Sequence, residues 1–161
     1  MSDVRRAVPE DAPELLRLRQ VMIDSIAPPG TPGGSTDWQT ASLRVVRERL
    51  ADPDGDFAAF VVDHPERPGA LAALVVGTLE YRIGGPNNPE GRAGHVFSVA
   101  TDPDARRRGY ARACMEALLD WYRERDVGHV DLNASAAGEP LYASLGFVRK
   151  PDPTMRLRLR D

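Results

Sequence analysis

The chain has 161 residues and a formal net charge of -3 at pH 7. That length suits one domain with a sizeable core, and the acidic balance argues against general nucleic-acid binding. No apolar run approaches the roughly 18 residues of a membrane span, and Met1 to Val8 lacks the apolar core of a signal peptide, so a soluble, cytoplasmic protein is expected.

Val4 to Val8 is a short β-like run ended by Pro9. A helix follows, with Asp11 as its cap, Pro13 in its first turn and Glu14 three residues after the cap, as in a capping box. Leu15, Leu18, Met22 and Ile26 recur at helical spacing. "APPGTPGGSTDW" (27–38) is too rich in Pro and Gly to be other than loop, and Asp37 caps a second helix over 38–50. "FAAFVVD" (57–63) reads as a strand, "HPERPG" as a turn and "ALAALVVGTLEYRI" (70–83) as a longer strand. A loop over 84–94 then leads to a strand at 95–100.

Next comes "TDPDARRRGYARA" (101–113), which opens a helix striped by Tyr110, Cys114, Ala117, Leu118 and Trp121. "HVDLNAS" (129–135) is a strand. "AGEPLYASLGF" (137–147) is a short helix ended by Gly146, and "TMRLRLR" (154–160) alternates as a half-exposed strand. The order β-α-α-β-β-β-α-β-α-β describes one mixed sheet with helices in a single domain. One cysteine, Cys114, excludes an intrachain disulfide, and the histidines His64, His95 and His129 lack metal-ligand spacing, so no metal is expected.

The stretch 101–113 places Arg106, Arg107, Arg108 and Arg112 around Gly109 at a helix start. Helix N-termini offer unpaired N–H groups and partial positive charge, and so attract anions. Gly109 lets a ligand approach the backbone or lets φ turn positive, and small Ala111 keeps the first turn open. Successive N–H groups can form a nest for phosphate, with the arginines adding bidentate contacts. The plainer alternative is that the arginines only solvate the helix start. Neither a P-loop nor a GxGxxG turn is present.

Arg106-x-x-Gly109-x-Ala111 fits the Gln/Arg-x-x-Gly-x-Gly/Ala signature of the GNAT N-acetyltransferase superfamily. "DVRRAVPEDAPEL" resembles that family's first strand and helix, and "LYASLGF" resembles its Tyr-x-x-x-Gly-Phe segment, so the resemblance spans the chain. It implies a single α/β (mixed α+β) domain over 1–161, with a mostly antiparallel sheet of about seven strands and about four helices. It also implies acetyl-CoA as cosubstrate, a primary-amine acceptor (a small molecule, a protein N-terminus or a lysine), and no nucleic acid or membrane partner. The resemblance allows a homodimer.

By the same resemblance, Arg106, Arg107, Arg108, Gly109, Tyr110, Ala111 and Arg112 hold the pyrophosphate of acetyl-CoA. A bulge in the fourth strand, mapped to Ser98, Val99, Ala100 and Thr101, exposes backbone groups to the pantetheine arm. Ser135 stands where many relatives have an asparagine that contacts the cofactor. Tyr142 matches the tyrosine that protonates the leaving sulfur; the alternative is a core tyrosine. Glu80, at mid-strand, is the candidate base through water, against a role as exposed partner of Arg82. His95 is a second candidate, against a structural role. Cys114 reads as core. A non-catalytic acyl-CoA-binding or regulatory module on the same fold is the competing function. The acceptor pocket is expected between loops 27–37 and 84–94.

Overall fold

From Leu71 to Gly77 every residue is buried. A strand this uniformly apolar needs cover on both faces, and the computed structural model, which describes residues 3–30 and 35–160, supplies it. The strands are β1 (Val4–Arg6), β2 (Phe57–Asp63), β3 (Leu71–Tyr81), β4 (Arg92–Thr101) and β5 (His129–Leu132). The helices are α1 (Ala12–Ile26), α2 (Asp37–Leu50), α3 (Tyr110–Glu124) and α4 (Glu139–Ser144), and short 3-10 turns occupy Pro9–Asp11 and Pro103–Ala105.

The sheet order is β1-β2-β3-β4-β5. The first three pairings are antiparallel and β4–β5 is parallel, so α3 is the crossover of a β-α-β unit. Alternate strand residues face two separate cores. Val75, Leu79 and Val96 pack with Cys114, Met115, Leu118, Trp121 and Tyr122 of α3, and with Tyr142 of α4. Leu74, Val76 and Ala100 pack with Leu15 and Leu18 of α1 and Leu50 of α2. Among the described residues no helix is long and apolar enough to cross a membrane.

Several expectations are corrected. The sheet has five strands, not about seven. Residues 154–160 form no strand; Met155, Leu157 and Leu159 are 89%, 82% and 89% exposed. Alternation is necessary for a half-buried strand, but without a paired neighbour and an apolar face beneath it the segment gains nothing from extending. Strand β4 begins at Arg92, inside the expected loop, and β5 ends at Leu132.

The expected capping box is also absent. Asp11 makes no side-chain bond to the start of α1; its carboxylate accepts from Val8 N (2.8 Å) and from Arg5 at 2.7 and 2.8 Å. Glu14 accepts from Arg17 Nε (2.6 Å) and Leu71 N (2.8 Å), tying α1 to the start of β3. Gly146 does end α4 with a positive φ of 99°.

The β3–β4 register slips between Val76 and Gly77, whose partners are Ser98 and Val96, leaving Phe97 as the extra residue of a bulge. Beneath it lies Tyr122 of α3, whose hydroxyl donates to the carbonyls of Thr78 (2.9 Å) and His95 (3.3 Å). Its ring needs two glycines: a Cβ on Gly77 would lie 2.3 Å from the Tyr122 oxygen, and one on Gly94 would lie 2.6 Å from Cζ. Gly77→Ala is therefore expected to destabilise by roughly 1–3 kcal/mol through overpacking. Tyr122→Phe removes the clashing oxygen, so the double variant should lose less than the sum of the singles. Additive losses in a denaturant-melt cycle would show that the two sites are not in contact.

Candidate active site

A bulged strand cannot keep register with both neighbours. Strand β4 pairs with β5 only from Ala93 to Val96, opposite His129 to Leu132. Beyond that the two strands have no pairing, while Ser98, Val99, Ala100 and Thr101 continue along β3 opposite Val76, Val75, Leu74 and Ala73. On the side away from β3, residues 97–101 have no strand partner among the described residues. The bulge thus sits at Phe97, one position before the range mapped from the family, and the unpaired edge covers that range. Interior N–H and C=O groups require partners, so such an edge suits an amide-bearing ligand.

Past Thr101 the chain turns through Pro103–Ala105 into the arginine loop. Asp102 holds this turn by accepting from Asp104 N. Arg107 and Gly109 both have positive φ, 63° and 78°, and Gly109 is the residue immediately before α3. Nothing lies within 4 Å of the position a Gly109 Cβ would take. Among the described residues the side chains of Arg106 and Arg107 have no hydrogen-bond or ion-pair partner. Arg108, by contrast, donates to Glu66 and to the Asp104 carbonyl, both at 3.2 Å. Arg112 donates to Ser144 Oγ and so links α3 to α4. Tyr110 and Ala111 form the half-buried first turn of α3. A bare backbone turn with two free guanidiniums is suited to an anion.

Tyr142 is 8% exposed, and its ring lies edge-on to Phe147 with centroids 6.1 Å apart. Burial raises its phenol above the ordinary value of 10.0, which keeps the proton on oxygen. Tyr142 lines a cavity of about 1020 Å³ together with His95, Asp131, Leu132 and Asn133. No residue of 84–94 lines this cavity, and residues 31–34 of the other expected acceptor loop lie outside the described residues. His95 stacks on Phe97 at 6.2 Å, and its imidazole has no hydrogen-bond partner among the described residues. Glu80 is absent from the lining; it accepts from Arg82 at 2.9 Å, the pairing weighed against its role as base.

Ser135 turns toward α4, its hydroxyl accepting from Gly138 N at 3.1 Å. Cys114 is fully buried, and desolvation pushes its thiol up to about 12, which suits a core residue. Sequence reasoning missed Tyr122, for which the signal was a pair of glycines inside strands. It also missed Arg19 of α1, which donates to buried Ser98 Oγ at 2.6 Å beside the bulge.

The sequence matches the model of the acetyltransferase (GNAT) family over residues 21–147. The chain belongs to this family. It is 31% identical to a mycothiol acetyltransferase of Rhodococcus jostii over 143 residues, which are 87% of this chain and 43% of that protein. It is 42% identical to the ribosomal protein bS18 alanine N-acetyltransferase of Escherichia coli over 55 residues, 32% of this chain and 37% of that one. The chain thus spans less than half the length of these curated relatives. The fold is shared with a Clostridium acetobutylicum predicted acetyltransferase solved with acetyl-CoA, with a TM-score of 0.77, 24% identity, and coverage of 99% of this chain and 97% of the other.

The GNAT chain's buried tyrosine has a direct optical test. In a difference titration, wild type minus Tyr142→Phe, the midpoint of the phenolate band should lie above the ordinary value of 10.0. A midpoint at or below the ordinary value would show that the ring is not desolvated.

Proposed function

We propose that this chain is an acetyl-CoA-dependent N-acetyltransferase that acetylates a primary amine by direct attack in a ternary complex. The observation that carries this reading is the unpaired β4 edge at 97–101, set between the open Gly109 turn and a protonated phenol on α4. One relative, the ribosomal protein bS18 alanine N-acetyltransferase, supports an amine acceptor.

Acetyl-CoA supplies an activated thioester carbonyl: the amine nitrogen forms the C–N bond, the C–S bond breaks, the amine gives up a proton and the thiolate gains one. Backbone N–H groups of 106–111 and the guanidiniums of Arg106 and Arg107 would hold the phosphates. The free edge of Val99, Ala100 and Thr101 would align the arm, and alignment itself removes much of the entropic barrier. Tyr142 donates a proton to the departing sulfur. Of the two candidate bases the geometry favours His95, which faces the same cavity as Tyr142 with its imidazole free, whereas Arg82 holds Glu80.

Acetyl-CoA should raise the melting temperature by mass action, by the equivalent of about 2.7 kcal/mol at a hundredfold excess over Kd. Gly109→Asp, which adds a carboxylate and a Cβ at positive φ, should abolish that shift; a normal shift would place the phosphate site elsewhere. Tyr142→Phe should keep acetyl-CoA affinity and lose roughly 10²–10⁴ in single-turnover rate against an amine panel read by thiol release. Turnover at the wild-type rate would remove Tyr142 from the mechanism.

A further inference from the structure

The turn between β2 and β3, residues 64–70, is remote in sequence from the arginine loop but lies against its root. Its closing bonds are His64 N to Ala70 O (2.9 Å) and Ala70 N to Arg67 O (3.1 Å). His64 is 6% exposed. Its Nδ1 accepts from Glu66 N at 3.1 Å, which leaves the proton on Nε2, and Nε2 donates to Asp104 Oδ1 at 2.8 Å. Arg67 donates to Asp102 Oδ2 and reaches Asp104 Oδ1 at 3.4 Å. Glu66 accepts from Arg108 at 3.2 Å. Thus three side chains of one turn, His64, Glu66 and Arg67, grip three residues of the segment 102–108.

Asp102 is 4% exposed, and its carboxylate also meets Arg17 of α1 at 3.0 Å. A buried carboxylate is tolerable only when paired, and here two guanidiniums share it. His64, Asp102 and Asp104 offer ligand atoms within 4.8 Å of one another, a spacing that would also admit a cation. Arg17 and Arg67 already supply the positive charge there, so the cluster serves as an ionic anchor.

The anchor has a direction. It fixes residues 102, 104 and 108; among the described residues Arg106 and Arg107 have no side-chain hydrogen-bond or ion-pair partner, and nothing lies within 4 Å of a Gly109 Cβ. A segment with two positive-φ residues has no regular backbone pairing of its own, so its shape must come from its ends.

We propose that the β2–β3 turn positions the acetyl-CoA loop, with His64 and Arg67 as positioning residues that act through Asp102 and Asp104. The inference rests on the reading of 106–112 as the pyrophosphate site. Its consequence is selective: loss of the clamp weakens only ligands that carry the pyrophosphate.

The test measures binding of acetyl-CoA by calorimetry and of S-acetylpantetheine, which lacks the pyrophosphate, by chemical-shift titration. For Arg67→Ala and His64→Ala the acetyl-CoA Kd should rise about tenfold, the loss of one or two charge-assisted contacts, and the S-acetylpantetheine Kd should stay within a factor of two. His64→Gln, whose amide can still donate to Asp104, should recover most of the acetyl-CoA affinity. If His64→Ala does not fold, Arg67→Ala decides, because that side chain is 48% exposed and Asp102 keeps Arg17. Equal weakening of both ligands, or no weakening of acetyl-CoA, overturns the proposal. Gly109→Asp separates the two readings. If it leaves acetyl-CoA binding intact, the pyrophosphate reading itself fails; if it weakens acetyl-CoA while both clamp variants bind normally, only the clamp fails.

Discussion

One extra residue in β4 governs the geometry of the site. With Phe97 inserted, the strand keeps its antiparallel ladder with β3 but leaves the parallel ladder with β5 after Val96. Every unpaired backbone group in the interior of a sheet carries a penalty of about 1–3 kcal/mol unless something bonds it. The fold meets part of that demand from below, where the Tyr122 hydroxyl donates to the carbonyls of Thr78 and His95, a facing pair next to the slip. It leaves the edge of 97–101 away from β3 without a strand partner among the described residues. The two glycines that admit the Tyr122 ring belong to the same device, because a side chain at either position would push α3 off the sheet.

The helices and the loop before α3 were legible because their signals are local. Gly109, Tyr110 and the stripe through Cys114, Leu118 and Trp121 fix where α3 begins and which side it buries, whatever the rest of the chain does. The bulge was not legible from the residues, because "HVFSVA" reads as an alternating strand with or without an added residue. The capping roles of Asp11 and Glu14 failed for a related reason. Local offset rules cannot see that Arg5 lies beside Asp11, or that the N–H of Leu71, 57 positions away, needs an acceptor. His64 shows the limit most clearly. Inside "HPERPG" it carries only turn chemistry, and its partner Asp104 is 40 residues distant. At the other extreme, 154–160 has the right period and no partner strand, so periodicity alone overstated the sheet.

The cavity that Tyr142 and His95 share joins two unlike settings. The α3 face is dense and apolar, and there burial holds Tyr142 in its protonated form. His95, Glu80 and Asp131 are half-buried and Arg82 is exposed, with Arg82 bonded to Glu80 and 3.9 Å from Asp131. Under the proposed mechanism an acid kept protonated by desolvation and a base kept accessible to water need opposite environments, and here a buried phenol and a half-buried imidazole line one cavity.

The four arginines around Gly109 follow the same logic of division. Arg108 and Arg112 bond to protein atoms, on the β2–β3 turn and on α4, and so tie the loop to its neighbours. Arg106 and Arg107 are left with their charge uncompensated by the described residues. Four free guanidiniums would repel one another and hold the loop in no single shape; four paired ones would leave little attraction for an anion. Arg107 also sits at a positive φ of 63°, which costs a non-glycine residue about 1–2 kcal/mol. Such a conformation persists only where contacts on both sides over-determine it. Here Asp102 and Asp104 fix the entry and Arg108 the exit. The ordering of the loop is then settled during folding, so that under the proposed function an incoming phosphate would meet a turn already shaped for it and would not have to supply that ordering itself.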